Sequence, residues 1–335
     1  MRLWLSAVVL ASMVAGCESL GYYTQAIGGH LGVLGRARPV AEWLADPSTP
    51  PELRERLETA RRIREFASKS LLLPENGSYL AYAELDRSYV VWNVFAAPEL
   101  SVDPRTECFP FAGCVSYRGF YAENDARHHA AKLREQGYDA YVSGVPAYST
   151  LGWSDDPLLS TFIRYPDTQL ARLVFHELAH QLVYARGDTA FNESFAVAVE
   201  EEGVRRWLEA EGRPDELAAF RAAQARQREF AERVAQARER LRGIYAMDLP
   251  RAAKLEHKRG EWERLRAAYP SLPAEANNAF LASIAVYTEL VPAFERLLAE
   301  SGSLEDFYRR VKKLASAARP DRDAFFRKEG YPRSS

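Results

Sequence analysis

Residues 173–182 read Leu-Val-Phe-His-Glu-Leu-Ala-His-Gln-Leu, and thirteen positions after His180 comes Glu193, within Asn192-Glu-Ser-Phe-Ala196. Histidines four apart lie on one face of a helix, close enough for both imidazoles to reach a single metal ion. Glu177 projects about 100° away from His176 on the helical wheel, so its carboxylate can hold a water instead of the metal. Three protein ligands leave a fourth coordination position open, the arrangement of catalytic rather than structural zinc. Glu193 is the first candidate for the third ligand. Asp188, in the intervening turn, and Glu200 to Glu202, further along, are the alternatives.

The flanking residues fit two helices. Leu173, Val174, Phe175, Leu178, Leu182 and Val183 supply an apolar surface, and Ala179 is small and helix-favouring. Pro166 suits the approach, with Asp167 or Thr168 as a cap. Arg186-Gly187-Asp188 reads as a helix stop and turn. A second helix is expected from Thr189 or Asn192 through Trp207, with Glu193 in its first turn and Ala196 small enough for close approach. Glu200, two turns beyond Glu193, faces the same way. Ligating imidazoles usually donate their other N–H to a partner, and Glu200 is a candidate for that role.

These residues resemble the signatures of the gluzincin metallopeptidases. His176-Glu-Leu-Ala-His180-Gln181 with Asn192-Glu193-Ser-Phe-Ala196 is similar to the HELAHQ and NEGFA pair of the zinc aminopeptidases. The chain as a whole resembles a family of bacterial lipoproteins described as putative aminopeptidases, through Tyr148-Ser-Thr-Leu-Gly-Trp153 upstream and Asn277-Asn278-Ala279 with Tyr287 downstream. The resemblance implies a zincin-like catalytic core and one Zn2+ held by His176, His180 and Glu193. It also implies peptide substrates, with Tyr148 and Gly152 lining their path. Glu177 would take a proton from water and pass it to the leaving amine. The tetrahedral oxyanion needs a donor, a place that tyrosine fills in related enzymes. Tyr287, in the apolar stretch Ala279 to Leu290, is the first candidate and Tyr148 the second.

Two departures bear on the activity. The connection from His180 to Glu193 is shorter than in the large zinc aminopeptidases. There is also no Gly-x-Met-Glu-Asn segment, the element that holds a substrate's free amino group in those enzymes. Zinc hydrolysis is therefore expected from the residues themselves, whereas the aminopeptidase label comes with the resemblance. A zinc endopeptidase and a non-catalytic metal-containing envelope binding protein are the alternatives. An intact Glu177 favours catalysis, because structural zinc needs no general base.

The N-terminus points to the bacterial cell envelope. Arg2 precedes the apolar run Leu3 to Val14, and Val14-Ala-Gly-Cys17 resembles a lipobox. The run is too short to span a bilayer and reads as a signal peptide over residues 1–16. Cys17 would then carry the lipid anchor, with 17–35 as anchor and tether, and several acyl chains hold a protein stably at a membrane. Glu18, where inner-membrane retention signals carry Asp, favours the periplasmic face of the outer membrane. Cys108 and Cys114 enclose a turn-forming Phe-Pro-Phe-Ala-Gly loop, and an oxidising envelope makes a disulfide between them the expected state.

Removing the signal leaves 319 of 335 residues, ample for a sizeable core. A formal charge of −2 gives no general attraction to nucleic acid, and 47% hydrophobic residues argue against extended disorder. The expected fold is α+β and predominantly helical, with a small mixed sheet and an added helical hairpin. Residues 36–202 form the α+β region with the zinc motif. It opens with helix from Ala41 to Ser68, broken at Asp46 to Pro51. Strands are expected within Tyr79 to Phe95, Val115 to Tyr121 and Asp139 to Val145, with a helix over Asn124 to Gln136. Pro146 marks the third strand as an edge or strand end, where an extended peptide could pair. His128 and His129 are adjacent on their helix and diverge, so they read as solvent or packing residues rather than a metal pair. Residues 203–270 read as a helical hairpin insertion, and 271–335 as C-terminal helices that return Tyr287 towards the zinc. The tail after Pro320 reads as peripheral and basic.

Overall fold

The computed structural model describes residues 21–109 and 113–331. The expected signal peptide, Cys17 and the centre of the Cys108–Cys114 loop lie outside the described residues. Residues 21–34 form helix α1, followed by strand β1 (Ala37–Pro39), α2 (Val40–Ala45) and α3 (Pro51–Lys69). Then come β2 (Ala81–Ala83), β3 (Val91–Pro98), β4 (Glu107–Phe109), β5 (Gly113–Val115), β6 (Tyr117–Phe120), α4 (Glu123–Glu135), β7 (Tyr138–Val145) and β8 (Leu158–Leu159). The rest is helical: α5 (Asp167–Leu182), α6 (Thr189–Ala210), α7 (Pro214–Ala246), α8 (Arg251–Ala268), α9 (Asn278–Thr288), α10 (Val291–Glu300), α11 (Leu304–Ser316) and α12 (Arg319–Lys328). The fold is α+β and predominantly helical, with small sheets.

The sheet that shapes the site is antiparallel, in the order β6-β3-β7. Side chains alternate across it. Trp92, Val94, Ala96, Phe120 and Ala140 pack on Ala126, Ala130 and Leu133 of α4. Phe95 and Ala97, with Tyr117 and Tyr141, face Ala279 and Tyr287 of α9. Covered on both sides, β3 reads as a nearly unbroken apolar run instead of an alternating one. A second sheet, β1-β2-β8, pairs β2 antiparallel to β1 and parallel to β8. The β4–β5 hairpin is closed by a Cys108–Cys114 disulfide.

Helices α5 and α6 pack along each other at the centre. At Gly203 a Cβ atom would stand 2.7 Å from the Phe175 ring and 2.8 Å from Leu71, so only glycine allows α6 to lie this close. Glu193 falls in the second turn of α6, not the first, because the helix starts at Thr189 with Asp188 as its cap, accepting from Phe191 N–H at 3.3 Å. The start of α5 also differs from expectation. Asp167 is its first residue and pairs with Arg56 and Arg213, while no side chain caps the helix.

Helices α7 and α8 pack through Val234, Leu241, Trp262 and Leu265, and are braced on Phe280 and Leu281 of α9. Within the described residues the segment after Pro320 is not peripheral. In α12, Phe326 is buried against Phe294 and Phe191, and Arg322 Nε donates to Asp188 Oδ2 at 3.0 Å. A buried carboxylate requires a partner, and Arg322 supplies it from 134 positions away.

Candidate metal centre

The centre forms where α5 faces α6. His176 Nε2 lies 3.1 Å from His180 Nε2 and 3.3 Å from Glu193 Oε2, and His180 Nε2 stands 3.5 Å from the same oxygen. The three ligating atoms lie within 4.8 Å of one another and could hold a metal ion. Asn192 sets this up. Its side-chain oxygen accepts from Ala185 N–H at 2.7 Å and its amide donates to Ala185 C=O at 2.9 Å. That double bond ties the α5–α6 turn to the residue before Glu193, which explains the Asn-Glu order locally.

The donor chemistry fits a cation. His176 Nδ1 sits 2.7 Å from Glu200 Oε2, and a carboxylate accepts, so Nδ1 carries a proton and, in the neutral imidazole, the Nε2 lone pair faces the centre. That lone pair meets the Glu193 carboxylate and a second imidazole, a convergence of acceptors that a cation satisfies. Among the described residues His180 Nδ1 has no hydrogen-bond partner. Glu200 also accepts from Arg172 Nε, one turn before His176 on α5. Asp188, an alternative ligand from sequence, is committed to the helix cap and Arg322 instead.

The electrostatics follow from burial and this clustering. Burial opposes charging of His176, but Glu193 and Glu200 outweigh it and push the imidazole well above its ordinary value. Burial would raise Glu193, yet His180 and His176 hold it at about 2. Burial likewise works against Glu200, and the Arg172 charge and the His176 contact bring it below the usual carboxylate range. Glu177 moves the other way: burial lifts it, and the two histidines only partly offset that. A carboxyl raised by burial beside the centre suits proton transfer.

The phenols divide into two groups. Tyr287 packs with Phe95 and Ala97, and its phenol is pushed well above its ordinary value, first by burial and then by Glu193, Tyr117, Glu177 and Glu200, so it stays protonated within electrostatic reach of the centre. Asn278 is what brings it there. Its side-chain amide donates to the carbonyls of Glu99 (3.0 Å) and Ser101 (2.8 Å), and its N–H donates to Asp139, stapling the start of α9 to the sheet. Tyr117, on β6, is raised by burial and Glu193 in the same manner, although the sequence offered no motif around it. Tyr148 belongs elsewhere. Its hydroxyl is 2.7 Å from His30 Nδ1 on α1, and its ring packs edge-on to Tyr121.

Gly152 borders α5. Its φ is +81°, and a Cβ there would stand 3.9 Å from Gln181 Oε1. Gln181, the residue after His180, accepts from Asn76 at 2.7 Å and donates to Ser78 (3.1 Å) and Asp156 (3.4 Å). Asp156 escaped the sequence reading because nothing local distinguishes it. Burial raises its carboxyl to about 6, and its charge acts on Glu177. Part of the outer edge of β7 is already paired, since Ala140 C=O accepts from Arg134 (2.8 Å) and Asn277 (3.1 Å).

Residues 21–326 match the family model described as "Putative aminopeptidase". No curated protein and no solved structure matches the chain.

Proposed function

We propose that this chain, which belongs to the putative aminopeptidase family, is a zinc-dependent peptidase of the bacterial cell envelope that releases N-terminal residues from peptides. The convergence of His176, His180 and Glu193, with Glu177 on the same helix, carries this reading. Two imidazoles and a carboxylate are a zinc donor set. A zinc ion held there supplies Lewis acidity, which acidifies water and polarises a carbonyl.

The chain's own groups supply the rest. Glu177 accepts a proton from the attacking water and delivers it to the departing amine, a task suited to a carboxyl raised by burial. Glu200 keeps His176 in the tautomer whose Nε2 faces the centre. Tyr287, kept protonated, donates to the oxyanion as it forms. Envelope location is read from the lipobox-like Val14-Ala-Gly-Cys17, whose Cys17 would carry a lipid anchor, and Glu18 favours the periplasmic face of the outer membrane.

The missing Gly-x-Met-Glu-Asn segment favours a second reading, a zinc endopeptidase. A mass-spectrometric time course on peptides with free or acetylated N-termini separates the two, using the zinc-loaded chain from Cys17 onward beside Glu177→Gln. Stepwise loss of residues from free N-termini, absent in the variant, is the expected result. Internal cuts indifferent to acetylation would make the protein an endopeptidase, and cleavage undiminished in the variant would end the proposed mechanism.

A further inference from the structure

Between Glu18 and Arg36 the chain carries no Asp, Glu, Lys or Arg. Residues 21–34 of that run are the helix α1, which lies on the protein surface, where a charged outer face is the usual pattern. Its inner side is well accounted for. Gln25 pairs with the free edge of β6, donating to Gly119 C=O (3.4 Å) and accepting from Tyr121 N–H (3.0 Å). Val33 is buried, and a Cβ at Gly29 would collide with the Tyr121 ring. His30 contacts Tyr148 and, at 3.2 Å, Ser154 Oγ, and burial lowers its pKa, which favours the neutral imidazole.

The outer side has no such explanation. Tyr23, Ile27 and Leu31, spaced by four, form one stripe and are 36%, 61% and 59% exposed. The loop that meets His30 through Ser154 carries Trp153 next to that contact, 77% exposed. Among the described residues eight large apolar side chains are exposed; three of them lie on α1, and Trp153 adjoins the residue that contacts α1 at His30. Clustered exposure of this kind marks an interaction surface. The glycines point the same way. Gly21, Gly28 and Gly32 have open space beyond them and weaken the helix in water without any packing need.

We infer that the outer face of α1, with Tyr23, Ile27 and Leu31, and the indole of Trp153 together dock on a phospholipid bilayer and seat the folded domain at its interface. The occupant follows from chain position and chemistry. Residue 21 lies four positions after Cys17, so a lipid anchor there would hold α1 against the membrane, and a tether makes even a small contact effectively intramolecular. Tyrosine and tryptophan favour the interfacial zone, and an uncharged apolar face has no desolvation penalty to meet there. Among the described residues no helix is long and apolar enough to cross a membrane, so the contact is one of lying on the surface. This inference leans on the reading of Cys17 as acylated, whereas its test does not.

With Cys108 and Cys114 bonded to each other, Cys17 is the remaining thiol, and a maleimide-bearing lipid can couple it to phosphatidylethanolamine–phosphatidylglycerol vesicles whatever its natural modification. The emission of Trp153 is isolated by difference between the native chain and Trp153→Phe, on vesicles with and without brominated acyl chains. Its emission is expected to shift to shorter wavelength and to be lost to the bromine. Tyr23→Ser/Ile27→Ser/Leu31→Ser should abolish both effects with coupling, zinc content and circular dichroism unchanged. Ile27→Asp, at a position 61% exposed, gives the same outcome if the triple variant misfolds. Unquenched Trp153 in the coupled native chain, or equal quenching in Ile27→Asp, would overturn the inference. Mass spectrometry of Cys17 from bacterial membranes tests acylation separately.

Discussion

Glu200 Oε2 stands 2.7 Å from His176 Nδ1, so one helix, α6, carries both the carboxylate that completes the candidate metal centre and the carboxylate that contacts its first histidine. Seven residues, about two turns, separate Glu193 from Glu200 and place them on one face. The same Glu200 is anchored by Arg172, one turn before His176. A buried carboxylate thus links two helices through the ligand it positions.

Glu200→Gln weakens this link without removing a ligand. Zinc affinity, measured by chelator competition, is expected to fall about 10- to 100-fold. Affinity equal to that of the native chain would show that His176 is oriented by packing alone.

Removing the Tyr287 hydroxyl should act on the chemical step. Tyr287→Phe is expected to lower kcat by about 10²- to 10³-fold with KM little changed. Tyr117→Phe should cost less, since Tyr117 responds to fewer of the site carboxylates. If steady-state kinetics on one peptide put the larger loss in Tyr117→Phe, the donor role belongs to the strand and not to α9.

Asp156 makes stability depend on pH. Its folded value of about 6 lies above the ordinary 3.8 because burial disfavours the charge, so the folded chain binds this proton more tightly than the unfolded chain. Its contribution is therefore fully present below about pH 4 and is lost as pH rises towards 6. Asp156→Asn should remove that loss and stabilise the fold at pH 7 by about 1–3 kcal/mol, with little gain at pH 4. Urea unfolding at both pH values reads this directly, and an equal effect at each would mean the carboxyl is not the titrating group.

Asn192→Ala leaves the N–H and C=O of Ala185 without their partner at a buried turn. A loss of about 2–4 kcal/mol is expected from two unsatisfied groups. Zinc content should fall as well, because Glu193 is the next residue. A destabilised variant that still binds zinc with native affinity would separate the turn from the ligand it presents.

The cluster that could hold a metal was legible in the sequence for a simple reason. His176 and His180 share a face through helical geometry alone, and Glu193 follows on the next helix after a short turn. Glu200 was legible by the same rule, and so was the strand over β7 from its alternation. The strained reading was the C-terminus, where charge and position suggested a peripheral tail. Arg322 is instead drawn in by Asp188, a demand visible only once Asp188 is seen to be buried.

What the sequence by itself determined is the set of side chains able to hold a metal and the helices that present them, since both depend on spacing within about one or two turns. The tertiary structure alone decided which distant groups come within electrostatic reach of that centre. Tyr117 arrives from a sheet edge, Tyr287 from a helix stapled by Asn278, and Asp156 from a loop held by Gln181. Tyr148, by contrast, is turned to His30 across 118 positions. Such contacts arise from packing between elements far apart in the chain, and no local periodicity encodes them.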